Sequence, residues 1–188
     1  MARDLAPVQD TWRTWSHAGS WTFQLRAADG DNAANAERVG GLLAALAEFV
    51  RPRWALLDSG PDEGWSQRVE APDVAAAIAA APVPVRSVQV RLDLLAWARQ
   101  RAGGPPEHGW LPEAADLDLS LEPDGYASLW IGHTLFVPGN LVGAPNDALY
   151  ALNAPLLADA LQTLAHRAGP LIEAEGLPGV GPTGFTAA

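Results

Sequence analysis

Residues 116–132 constrain the fold more than any other stretch. Leu117, Leu119 and Leu121 alternate with Asp116, Asp118 and Ser120, which sends the leucines to one face of a strand and the polar residues to the other. Glu122-Pro123-Asp124-Gly125 follows. Proline fixes one dihedral there and glycine supplies a positive φ, so the chain turns. Tyr126, Ala127, Leu129, Trp130 and Ile131 then return as a second strand. An antiparallel hairpin is therefore predicted, with one apolar face that other elements must cover.

The rest of the chain supplies candidates for that cover. Trp21, Phe23, Leu25 and Ala27 alternate with Thr22, Gln24 and Arg26 as a half-buried strand. Asp29-Gly30-Asp31-Asn32 offers several N-caps for a helix over 33–50, whose Val39, Leu42, Leu43, Leu46 and Val50 recur at helical spacing. Pro52 is expected to stop that helix, and Trp54-Ala55-Leu56-Leu57 to form a short buried strand. A short alanine-rich helix is predicted over 72–80, a strand over 85–92, a helix over 94–102 and a loop over 103–112. Asn153 is expected to cap a last helix running to Ala168. These elements interleave without a regular βαβ period. The expected fold is α+β: a single, mostly antiparallel sheet with helices packed on one face, in one domain spanning 1–188. Residues 1–20 read as an irregular N-terminal segment and 171–188 as a Gly/Pro-rich tail along the surface.

Charge removes some function classes. The chain has 12 arginines, no lysine and 22 carboxylates, for a net charge of -10. Nucleic-acid binding rests on neutralising phosphates, and no stretch clusters the arginines, so neither nucleic acid nor an anionic membrane is an expected partner. A basic or mixed-charge protein is electrostatically favoured. Without cysteine there is no thiolate nucleophile, disulfide or Cys-ligated zinc. The first residues carry no apolar run of signal-peptide length and no stretch is long enough to span a bilayer, so a cytoplasmic location is expected.

Motifs that resemble chemical sites mostly fail on context. Gly179-Val180-Gly181-Pro182-Thr183-Gly184 has dinucleotide-fingerprint spacing but no expected strand before it and a proline inside it. Asp58-Ser59-Gly60 lacks the leading glycine of a nucleophile elbow and reads as a turn. His17, His108, His133 and His166 lack metal-ligand spacing. His133 follows a strand and would serve as a general base only if a carboxylate oriented it; a satisfied strand-end histidine is the simpler reading. Asp116 and Asp118 share a strand face, where alternate polar residues usually just meet water. Of the eight tryptophans, Trp21, Trp54 and Trp130 lie in apolar strands and read as core, whereas Trp65 and Trp110 lie in expected loops and suit a surface role.

Two stretches carry a family resemblance. One is the helix with Val39, Gly40, Gly41, Leu42, Leu43, Leu46 and Val50 running into Pro52-Arg53-Trp54-Ala55 on a strand. The other is Leu129-Trp130-Ile131-Gly132 leading through a loop to the helix over 156–168. This order resembles the immunity proteins of bacterial polymorphic toxin systems. The resemblance implies a protein that binds and neutralises one cognate toxin and is not an enzyme. No metal and no cofactor are expected, because the sequence has no cysteine, no ligand-spaced histidines and no properly placed Gly-rich loop. The interface expected here is the acidic loop of Asp58, Asp62 and Glu63 with Trp65 as apolar anchor. The alternatives are a structural or accessory component of a larger bacterial or phage assembly, or a small enzyme with a site centred on His133.

Overall fold

The computed structural model describes residues 2–6, 18–25, 31–100, 104–138 and 146–185. Its main element is an eight-stranded sheet. The strands are β1 (Arg3–Asp4), β2 (Gly19–Gln24), β3 (Val50–Asp58), β4 (Ser66–Glu70), β5 (Ser87–Arg99), β6 (Pro106–Ser120), β7 (Tyr126–Ile131) and β8 (Leu171–Gly176). They lie in the order β4-β3-β5-β6-β7-β2-β8, all antiparallel, with β1 parallel beside the first part of β6. Two further strands, β9 (Val180–Gly181) and β10 (Gly184–Phe185), form a separate hairpin. The fold is α+β, as the sequence predicts.

Helices α1 (Asn32–Ala45), α2 (Val74–Ala80) and α3 (Asp147–Arg167) cover one face of the sheet. Trp21, Phe23, Ala55, Leu57, Val88, Val90, Leu117, Leu119, Leu129 and Ile131 point into that layer, all almost wholly buried. They meet Val39, Leu42 and Leu46 from α1, Val74 and Ile78 from α2, and Leu157, Leu161 and Leu164 from α3 in one continuous cluster. The predicted hairpin is present: Leu117 faces Leu129, and Leu119 faces Ala127. Asp31 caps α1 by accepting from the Ala34 N–H at 2.6 Å. Asn32 ties the start of α1 to the segment between α2 and β5, donating to the Ala81 and Val83 carbonyls and accepting from the Val85 N–H.

Several expectations are corrected. The helix expected over 33–50 ends at Ala45, and Phe49 and Val50 already lead into β3. Pro52 therefore stops no helix; it lies inside β3 opposite Leu92. The helix expected over 94–102 is the second half of β5, and the loop expected over 103–112 is largely the first half of β6. Asn153 lies in the interior of α3 rather than at its start, and the helix runs on through Pro155. The C-terminal tail, largely exposed along its length, forms strands that the sequence reading does not predict. β8 extends the sheet beside β2, and Phe185 packs edge-on against Trp21, ring centroids 5.5 Å apart. Within the N-terminal segment, Arg3 and Asp4 pair with β6, Leu5 is buried, and β2 begins at Gly19. Trp12, Trp15 and His17 lie outside the described residues. No helix among the described residues is long and apolar enough to cross a membrane.

Candidate protein-binding face

Opposite the helices, the sheet presents a face that no helix covers among the described residues. Strand alternation fixes what lies there. From β4, β3 and β5 it displays Arg68 and Glu70, Trp54 and Leu56, and Gln89 and Arg91, held side by side by the register Arg68–Leu56–Gln89 and Glu70–Trp54–Arg91. Leu56 is 38% exposed, and Trp54 is half-buried. The Arg68 guanidinium lies 4.4 Å from the Trp54 ring centroid and that of Arg91 5.8 Å. Arg91 also pairs with Asp116, Nε to Oδ1 at 2.9 Å.

That ion pair defines the role of the two aspartates. Asp116 is buried opposite Arg91 and Trp130, and Asp118 lies one row along, opposite Gln89 and Ser128. They are strung along one strand, and Asp116 serves a cation. Trp54 and Trp130 are thus not core residues as expected; both sit half-exposed on this outer face. Trp110 is in β6 instead of a loop, with Arg51 stacked 5.1 Å from its ring.

A buried carboxylate locks the same face further along. Three residues of β6, Pro112 to Ala114, oppose the single residue Asp93 of β5. Glu113 adopts φ 50 there and turns its N–H onto Asp93 Oδ1 at 2.9 Å. Arg53 Nε donates to the same oxygen at 2.9 Å, and Arg51 reaches Oδ2 through Nε at 2.8 Å and Nη2 at 2.5 Å. Asp93 is fully buried, and its carboxylate is held by donors from the two arginines and the Glu113 backbone. Arg51 also donates to Asp4 at 2.6 Å, tying β1 into the cluster. Burial works against the Arg51 charge, but the hydrogen bonds to Asp4 and Asp93 more than offset it and raise its pKa.

The expected interface residues surround the β3–β4 connection at one end of the face. Asp62 and Glu63 are exposed. Asp58 closes the β3 end by accepting from the Gly60 N–H at 2.7 Å. Ser59, wholly buried, accepts from the Trp65 N–H and donates to its carbonyl, so Asp58-Ser59-Gly60 is a structural turn. Trp65 stands in phase with Gln67 and Val69 on the helix-bearing side, half-buried against the core. The structure thus gathers Asp58, Asp62 and Glu63 at the edge of the Trp54–Leu56 patch and directs Trp65 the other way. The sequence reading puts Trp54 and Leu56 in a buried strand and gives Arg68 and Arg91 no part in the interface. The missed signal was the alternation of Trp54 and Leu56 with Ala55 and Leu57, which puts two apolar pairs on opposite faces.

His133 is buried just before a 3-10 turn at Thr134–Phe136. It does not line the groove of about 400 Å³ between α1, α2 and β3, whose walls include Gly40, Leu43, Pro52, Pro72, Val74 and Ala75. Among the described residues, no group of three His, Asp or Glu side chains is placed to hold a metal ion. The chain matches no protein-family model, and comparison with curated proteins and with solved structures gave no match.

Proposed function

We propose that the chain is a protein-binding module of the immunity type, which neutralises one cognate bacterial toxin in the cytoplasm by occluding its active site. The observation that supports this reading best is the Trp54–Leu56 patch on the helix-free face, flanked by Arg68 and Arg91 and bordered by the acidic loop. Tryptophan and arginine dominate the energetically decisive centres of protein interfaces. Here they are preorganised, since two guanidinium groups already rest on one indole ring, which lowers the ordering cost of binding. Asp62 and Glu63, with the net charge of -10, steer a basic or mixed-charge partner to the patch and act mainly on the association rate.

The test is co-expression with a candidate toxin taken from a neighbouring gene, read as growth protection and as a complex in binding kinetics. Trp54→Ala is expected to speed dissociation by about a hundredfold, the scale of losing a central aromatic. Asp62→Asn with Glu63→Gln is expected to slow association and flatten its salt dependence. Trp65→Ala is the second anchor test: faster dissociation assigns it to the interface. A lower melting temperature with unchanged kinetics assigns it to the core alone. If the wild-type chain gives neither protection nor complex, the immunity reading fails.

A further inference from the structure

We propose that β4 is a dimerisation edge, at which two copies of this chain join antiparallel about Val69 into one continuous sheet. β4 is the last strand on its side and pairs only with β3 among the described residues. The phase of its backbone follows from two bonds outside the ladder: the Ser59 N–H donates to the Trp65 carbonyl, and the Ala71 N–H to the Arg53 carbonyl. Trp65, Gln67, Val69 and Ala71 therefore turn their peptide groups toward β3, whereas Ser66, Arg68 and Glu70 turn theirs outward.

A two-fold axis at Val69 sets Arg68 against Glu70 of the second copy, twice. Those are the residues whose N–H and C=O groups face outward, so the two pairs close four backbone hydrogen bonds. The same pairs are opposite in charge and share the helix-free face, with side chains 60% and 73% exposed; within one copy Arg68 Nε already pairs with Glu70 Oε1 at 3.3 Å, so the axis joins two such pairs into a cluster of four alternating charges. Backbone phase and charge thus select one register independently. On the other side of the sheet α2 touches β4, and the exposed residues of that helix are the small Ala76, Ala79 and Ala80. The opposite sheet edge lacks this complementarity. Equivalent self-pairing of β8 about Ala174 would set Glu173 against Glu175, and its ladder with β2 is irregular.

The test uses the whole chain, with light scattering and sedimentation through the micromolar range. Wild type is expected to reach twice the 19.8 kDa chain mass as concentration rises. Arg68→Glu sets glutamate against glutamate, Glu70→Arg sets arginine against arginine, and each should weaken self-association by about tenfold or more. An equimolar mixture of these two variants should form a mixed dimer, because each 68–70 contact across it is again opposite in charge. A wild-type chain that stays monomeric overturns the proposal. So do single variants that dimerise as wild type does, or a mixture that stays monomeric while both variants keep the wild-type circular dichroism spectrum.

Discussion

Trp97 presents its N–H and C=O away from β6, beyond the point where β3 can pair with them. Asn153 receives both: its Oδ1 accepts from the Trp97 N–H at 2.8 Å, and its Nδ2 donates to the Trp97 carbonyl at 2.9 Å. Its amide also donates to the Leu149 carbonyl at 2.9 Å within α3. One side chain thus substitutes for a neighbouring strand and fastens α3 to the sheet. Asn153→Ala removes the partner of a donor and an acceptor in a fully buried setting, and each group left unsatisfied costs on the order of 1–3 kcal/mol. We expect a loss of about 3 kcal/mol in urea unfolding, as a lower midpoint with the same slope. Asn153→Asp should cost more, since it keeps the acceptor but loses both donations and buries a charge. Loss below about 1 kcal/mol for the alanine variant would mean that water takes over the Trp97 groups. In the sequence, Asn153 looks like an N-cap because Ala154-Pro155 follows it, and proline favours a first helical turn. Its bond to a strand 56 positions away is what the local signal could not carry.

At the level of elements, the legible parts are those where local pattern and tertiary environment agree. The 116–132 hairpin, α1 and the first half of β5 show the period that their burial requires. The second half of β5 does not: Leu94, Leu95, Ala96, Trp97 and Ala98 are apolar throughout, and alanine favours helix when nothing else decides. Strand pairing decides here, with Trp97 stacked on His108 across the ladder at 4.8 Å. The candidate face was legible only in part, because the acidic loop is local whereas Arg68 and Arg91 reach Trp54 from two other strands. The C-terminal strands left little local signal because glycine and proline dominate 176–184; they are held instead by the ladder with β2, by the Trp21 indole N–H donating to the Gly181 carbonyl and by buried Phe185. Phe185 is buried against Trp21, and a side-chain carbon on Gly19 would lie 2.8 Å from both rings. Phe185→Ala should destabilise the protein by about 3 kcal/mol, the lower end for a buried phenylalanine, measurable in the same urea experiment. Gly19→Val should be at least as damaging, since the rings have no room to retreat. If both variants match wild type, the β9–β10 hairpin contributes nothing to the core.

Across the whole molecule, four of the seven pairings in the large sheet join strands that do not follow one another in the sequence. β2 lies between β7 and β8, so residues 19–24 are completed by residues 126–131 on one side and 171–176 on the other. Such distant pairings close large loops before they gain contacts, which places refolding in the slower, millisecond-to-second range. A stopped-flow experiment should show that phase in tryptophan fluorescence, because Trp21 becomes buried only when β2 is enclosed. Submillisecond completion would contradict it. The order of strands also sets a schedule on the ribosome. β3 to β7 can pair as they emerge, in sequence order apart from β4, whereas β2 emerges early and must wait for β8, nearly the whole length of the chain. During that interval Trp21 and Phe23 lack their C-terminal cover, and β2 is an open edge within reach of any other nascent strand. The C-terminal segment thus acts as a late closing step of biosynthesis. Release of a shortened chain ending at Pro170 should leave a product that is degraded or aggregates, although it contains every helix found among the described residues.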